Sequence, residues 1–469
     1  MALQDELRAG REGPLDPLAA AAAGKLGPRR RRRWDLVLAW TAILGPALAL
    51  GCWLAVRQQV GDLEARVVRD TSELFSRSNA RPVHGDAPSP GAIGDAVPLH
   101  LPPLEAAAKA LAKDEAGTRR ARDVVSGEAP IDALPDSFAA ALDRLGPDVD
   151  ALLAATRAER ADFPVTKESF SPLDDGGWLG WQLAATLAGV RMRRALAAGE
   201  PASALRDGLD GLALGRDAAI ARFLVGRMVG AAVVSRLSPA VAAAVDALPD
   251  AVARRDALRR LRAIRDAFPP FSRTLADDFT LMQLYAGEAL PRSVRDALHP
   301  RARAIVEGAS RKTAMWERLA IRDGWRGLRE VEDLLVAAAD RPEPERAAVA
   351  AAVKARVLRS PNPFAAIALP DFGKYARRAD ASNRRLDGLV LAAAAGAFQA
   401  ERRRWPESVT EIVATGDLDR SEAARLAGAT LEPSDGSRAL SLRVPLPRAD
   451  DKDSGELVIV LRGGRSVRR

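Results

Sequence analysis

Apolar positions along this chain fall into three regimes. The first is one unbroken run, Leu36–Val56 (LVLAWTAILGPALALGCWLAV), 21 residues without a charged side chain. At 1.5 Å per residue, a helix of that length just spans the hydrocarbon core of a bilayer. The second regime, residues 104–358, returns an apolar residue every three or four positions and predicts a series of helices. They run over Leu104–Ser126, Ser137–Arg160, Gly180–Ala198, Ala202–Arg216, Ala218–Leu237, Pro239–Ala247, Ala251–Ala267, Arg273–Glu288, Ala302–Arg322, Trp325–Asp340 and Glu343–Leu358, with Asp250 and Ser272 as candidate N-caps. In one of them Leu205, Leu209, Leu212 and Ala213 share a face, and Arg206 and Asp210 lie off it. In the next, Gly226, Gly230 and Ala231 permit close helix approach. That helix competes as a second membrane span, against which stand Arg216, Arg222 and Arg227, each costly at mid-bilayer. The third regime begins at residue 359. Tyr375–Arg402 reads as one long helix with the stripe Leu386, Leu389, Val390, Ala393, Ala397 and Phe398. Leu440, Leu442 and Val444 then alternate with Ser441 and Arg443, and Glu456–Leu461 is strand-like, which together predict an antiparallel hairpin.

The expected fold class is therefore mainly α, in five parts: a cytoplasmic basic tail (1–33), a transmembrane anchor (34–56), a juxtamembrane helix and Pro/Gly-rich linker (57–103), an α-helical bundle or irregular array (104–358), and a small α+β module (359–469). Arg29, Arg30, Arg31, Arg32 and Arg33 stand directly before the apolar run. Eight Lys/Arg precede it, and only Arg57, Arg66 and Arg69 fall in the first 20 residues after it. The positive-inside rule then puts the N-terminus in the cytoplasm and the body outside, with Trp34 and Trp53 near the two membrane interfaces. Two alternatives stay open. One is a cleaved signal peptide. The other is a lipoprotein, because Leu48–Cys52 resembles a lipobox with Cys52 as the acceptor.

Composition narrows the function classes. The net charge is +8, but half of it sits in residues 1–33; beyond them basic and acidic groups are interleaved, so nucleic-acid binding is not expected. Cys52 is the one cysteine, which leaves no intrachain disulfide. His84 and His100 fall in the linker and His299 precedes Pro300; all three read as exposed loop histidines. No nucleotide, dinucleotide, zinc or nucleophile-elbow motif occurs, and no cofactor is expected.

Local sequences that remain are few. Asp174-Asp175-Gly176-Gly177 leads into Trp178 and Trp181, which form either part of a binding groove or, preferably, a helix start anchored by its indoles. Asp277-Asp278 and Glu330, Glu332 and Asp333 are acidic clusters on helices. Buried and close, such carboxylates do acid–base work; on helices this charged they are more often solvated or paired with arginine. Arg404-Trp405-Pro406-Glu407-Ser408-Val409-Thr410-Glu411-Ile412 follows the long helix. Pro406 stops it, and Ser408 with Glu411 fits a capping box.

That motif, with Pro433, Asp435 and Gly436 after it, resembles the C-terminal module of uncharacterised bacterial membrane-anchored helical proteins. More distantly it is similar to the globular part of type II secretion pseudopilins. The resemblance implies a fold signature at Trp405, Pro406, Glu407 and Ser408, with no catalytic role. No glutamate lies within Leu36–Val56, where a pseudopilin carries one. Asp417, Asp419, Glu432 and Asp435 occupy the region where some pseudopilins hold calcium, but their spacing fits no standard loop and they read as surface carboxylates. The expected partners are a lipid bilayer and an envelope protein. The expected role is a non-catalytic scaffold or binding component at the inner membrane; the alternatives are an envelope hydrolase using Asp277 and Asp278, or a pseudopilus-associated component.

Overall fold

The computed structural model describes residues 64–76, 81, 84–85, 88–89, 91–163, 177–221, 223–285, 292–298, 300, 303, 329–358, 372–434, 438–447 and 455–463. The expected anchor, with Arg29 to Arg33, Trp34, Cys52 and Trp53, lies outside them. The chain divides into two compact units at Arg69, and residues 70–469 form the larger one.

This larger unit is mainly helical and ends in a three-stranded antiparallel sheet. Its helices are α1 (Ile93–Leu111), α2 (Glu115–Ser126), α3 (Asp136–Ala155), α4 (Trp178–Ala197), α5 (Pro201–Ala221), α6 (Phe223–Asp246), α7 (Ala251–Asp266), α8 (Phe271–Tyr285), α9 (Arg292–Ala297), α10 (Glu343–Leu358), α11 (Phe372–Arg402), α12 (Val409–Ala414) and α13 (Arg420–Arg425). The strands are β1 (Thr430–Ser434), β2 (Ala439–Pro445) and β3 (Glu456–Leu461). Residues 329–338 are helical as well.

Helix α6 is the centre of the core, packed against α2, α4, α5, α8 and α11. Its stretch Leu224–Asp246 is long and apolar enough to cross a bilayer, yet 67% of its most apolar window is buried inside this body. Glycines on α5 let the two helices close: a Cβ on Gly211 would stand 2.6 Å from Leu237 Cδ1, and one on Gly230 of α6 would stand 2.4 Å from the Gly215 carbonyl oxygen. Side chains of α6 thus seat directly on the α5 backbone. Gly230 matches the close approach expected of it.

Several boundaries differ from the sequence reading. Helix α1 begins at Ile93, inside the stretch expected as linker, and contains Pro98, Pro102 and Pro103. Pro98 and Pro102 face solvent, while Ile93, Leu101, Leu104 and Ala108 face the core; burial of that stripe outweighs the lost backbone bonds. Helix α6 runs unbroken through Pro239, whose ring is exposed. Asp250 caps α7 as expected, accepting from the Ala253 N–H at 2.8 Å.

The hairpin is present. Leu440, Leu442 and Val444 of β2 pair with Leu461, Ile459 and Leu457 of β3, and this face packs on α11. Strand β1 pairs with the other edge of β2. Arginines on α7 bind the sheet-bearing end of the chain to the helices. Arg265 Nε donates to Asp387 Oδ1 at 2.8 Å, and Arg255 Nε donates to Asp417 Oδ1 at 2.9 Å.

Candidate functional site

Helix α5 is buried on nearly every side, although it carries Asp207, Asp210, Arg216 and Asp217. Charges at these depths are tolerated only when paired and hydrogen-bonded. Their partners come from the end of α3, the chain just before α1 and, for Asp207, helix α4. His84 Nε2 lies 3.0 Å from Asp210 Oδ1. Arg157 donates from Nε to the same oxygen at 3.0 Å and from Nη2 to Oδ2. Arg81 pairs with Asp217 through Nη1, and it donates from Nε to the Ala158 carbonyl at 2.8 Å and from Nη2 to the Thr156 carbonyl at 3.0 Å. Arg216 donates from Nε to Asp217 Oδ1 at 2.9 Å and from Nη2 to the Thr156 carbonyl at 3.0 Å. Arg191 of α4 holds Asp207 at 3.1 Å.

His84 is 1% exposed, so it is not the exposed loop histidine expected; Asp210, expected off the core face, is 3% exposed. His100 is half-buried on α1 with Nδ1 2.9 Å from Asp148 Oδ1, and His299 lies outside the described residues. The backbone secures the same junction. The Arg81 N–H donates to the Glu159 carbonyl at 2.9 Å, Ser89 Oγ donates to the Ala154 carbonyl at 2.9 Å, and Ala92 forms a parallel bridge with Arg160.

Burial sets the titration of this cluster, and pairing then modifies it. Burial pushes His84 below the ordinary histidine value, with Asp210 opposing and Arg216 reinforcing. For Asp210 burial acts upward, but the bonds from His84 and Arg157 outweigh it and hold the carboxyl below the usual range. Burial pushes Asp207 up against the pull of Arg191, and it pulls Arg81 down to about 10. Among the described residues, three atoms in the cluster have no hydrogen-bond partner: His84 Nδ1, Arg216 Nη1 and Asp217 Oδ2. A histidine–aspartate pair is the usual core of an acid–base catalyst, but here the imidazole is closed off from solvent. The arrangement holds chain to chain.

No protein-family model matches this chain, and neither curated proteins nor solved structures yield a match.

The remaining expected positions fall as follows. Helix α4 starts at Trp178, after Gly177 in the left-handed region at φ 71°. Trp181 is 2% exposed, with its ring 6.5 Å from that of Phe163, and Trp178 is half-buried. The indoles anchor the helix start, and Trp181 offers no face to a groove. Trp405 and Pro406 are buried, whereas Glu407 and Ser408 are exposed. Ser408 Oγ accepts from the Glu411 N–H at 3.2 Å. The return bond of the expected capping box goes one residue earlier, from the Glu407 N–H to Glu411 Oε2 at 2.8 Å. A full capping box forms instead at α13, between Asp419 and Glu422.

Asp417 is buried against Arg255, contrary to its reading as a surface carboxylate, whereas Glu432 is exposed and pairs with Arg443. Asp435 lies outside the described residues. Among those residues no group of three His, Cys, Asp or Glu side chains could hold a metal ion.

Asp277 and Asp278 sit next to each other on α8, so their side chains diverge and do not meet as a dyad. Asp277 lies 3.9 Å from Arg273. Asp278 accepts weakly from the Leu224 N–H at 3.4 Å, and burial, helped by Asp277, pushes its carboxyl up to about 6. One turn along α6 from Leu224, Arg227 is fully buried. It donates to Asn383 Oδ1 at 2.7 Å, and its guanidinium sits 4.9 Å from the centroid of the Phe268 ring. Glu330 pairs with Arg356, and Glu332 is buried. Neither the His84–Asp210 pair nor the set of α7 arginines was legible in the sequence; the residues in them are separated by 126 positions and by 122 to 162 positions.

Proposed function

We propose that this chain is a single-span membrane protein whose body, on the outer side of the cytoplasmic membrane, is a scaffold or binding component of a bacterial envelope assembly. The observation that carries this reading is the uncharged run Leu36–Val56 directly after Arg29 to Arg33. A mechanical role also suits the junction that follows: the chain entering the body is bound to the core through Arg81 and His84, as a load-bearing attachment requires. Within this proposal the C-terminal helix, Trp405-Pro406 turn and hairpin form a pseudopilin-like module. Protease protection on intact spheroplasts, with a tag at each terminus, tests the topology. An accessible C-terminus with a protected N-terminus on a full-length chain is the expected result. A product starting at Cys52 would mean a lipoprotein, and a protected C-terminus would overturn the reading.

Asp278 favours one second reading, an envelope hydrolase. A carboxyl titrating near 6 has the poise of a general acid at neutral pH. Activity lost in Asp278→Asn with the fold intact would establish it.

A further inference from the structure

We propose that the His84–Asp210 contact is a proton-sensitive latch that holds the chain before α1 against the body and lets it go on acidification. The proposal stands apart from the membrane reading and needs only the geometry of the junction.

The latch is made of one side chain on one side and a ring of charges on the other. His84 presents Nε2 to Asp210 Oδ1 at 3.0 Å, so the neutral ring carries its proton on Nε2 and donates it to the carboxylate. Nδ1 is then a bare acceptor, buried and without a partner among the described residues. Taking up one proton there turns it into a buried N–H donor with nothing to receive it. The charged groups that act on the imidazole are Asp210, Arg216 and Asp217 from α5; Arg157 from the end of α3 holds Asp210, Arg81 from its own stretch holds Asp217, and Arg191 from α4 holds Asp207. Asp210 already has both oxygens engaged by Arg157, so it gains little from a second cation. Arg216 lies close enough to oppose the new charge. Once undocked, the histidine titrates freely in water.

The sign follows. His84 binds a proton more readily when undocked, at an ordinary value near 6.5, than when docked. Acidification through that window therefore favours the open form, by at most about tenfold per pH unit for a single proton. Arg81 also pairs with Asp217, and the remaining holds at the junction, Arg81 with the Ala158 and Thr156 carbonyls and Ser89 with Ala154, are hydrogen bonds to backbone carbonyls that do not titrate. They set the baseline, and the histidine sets the slope.

Hydrogen exchange on the full-length chain, corrected for intrinsic rates, reads the opening directly. Between pH 7.5 and 5.5 the amides of Arg81 and Ser89, which donate across the junction to the Glu159 and Arg157 carbonyls, are expected to lose up to about tenfold in protection while those of α6 do not change. In His84→Gln, whose amide nitrogen still donates to Asp210 but does not titrate, protection is expected to be flat. Equal protection at both pH values, the same loss in the glutamine variant, or α6 opening in step overturns the latch. If that variant does not fold, the wild-type profile decides: a one-proton dependence beginning near pH 6.5 supports the latch, and a steeper one or an onset below pH 5 overturns it.

Discussion

Arg262 of α7 grips Glu422 of α13 through two parallel hydrogen bonds, Nε to Oε1 and Nη2 to Oε2, each 2.5 Å long. The same carboxylate accepts the Asp419 N–H at 2.8 Å, so one side chain ties the helical body to the sheet-bearing end and also closes a helix cap. Glu422→Ala removes both functions and leaves Arg262 partly buried without its partner. The expected loss is about 2–3 kcal/mol. Thermal unfolding checks it: the melt should shift down as one cooperative transition, because the two parts fold together.

Arg254 performs a related task with uncharged partners. Its guanidinium donates to the Leu248 carbonyl at 2.9 Å, the Asp246 carbonyl at 3.0 Å and the Gly396 carbonyl at 2.7 Å. The first two are carbonyls left over where α6 ends, and the third belongs to α11. Arg254→Met should cost about 2–4 kcal/mol through unsatisfied buried acceptors. Arg254→Lys should recover only part of that, since a compact ammonium does not span three carbonyls. Urea midpoints of the two variants give the comparison.

Gly230 tests the crossing of α5 and α6. Its missing Cβ would meet backbone, the Gly215 carbonyl oxygen, at 2.4 Å, and backbone does not rotate away. Gly230→Ala is expected to lose about 1–3 kcal/mol despite the better helix propensity of alanine. A gain in stability would show that the helices separate easily.

How much of this was legible beforehand depended on where the partners lie. Helices α7 and α11 follow from their own apolar stripes, and the hairpin follows from the alternation in residues 440–444. Strand β1 does not, because Thr430–Ser434 (TLEPS) has one large apolar residue and a proline. Helix α1 was hidden by Pro98, Pro102 and Pro103, which are ordinary linker residues until the stripe from Ile93 to Ala108 is seen to bury. The charges of α5 misled for the opposite reason: Asp210 looks like a solvent position by local pattern, and only His84 and Arg157, folded over it, make it an interior one.

Asp278 gives a pH dependence of stability. Its folded carboxyl titrates at about 6 against an ordinary value of 3.8, so the folded state binds the extra proton between those two values. Stability from this group is full below pH 3.8 and falls as pH rises towards 6. Asp278→Asn keeps an oxygen for the Leu224 N–H and removes the ionisation. It should raise stability by about 1–3 kcal/mol at pH 7.5 and leave it nearly unchanged at pH 4. Urea unfolding of both proteins at the two pH values measures the difference.

Ala392, Ala393, Ala394 and Ala395 form a turn of α11 in which all four side chains are fully buried. Four alanines in a row look like filler. Because this turn is enclosed on every side, it has no outward position at which a substitution passes unnoticed, and each added methyl must displace a neighbour from a close-packed interior. A saturation scan of the chain should therefore find its most intolerant stretch in the run with the least chemical character, ahead of the arginine clusters and the tryptophans.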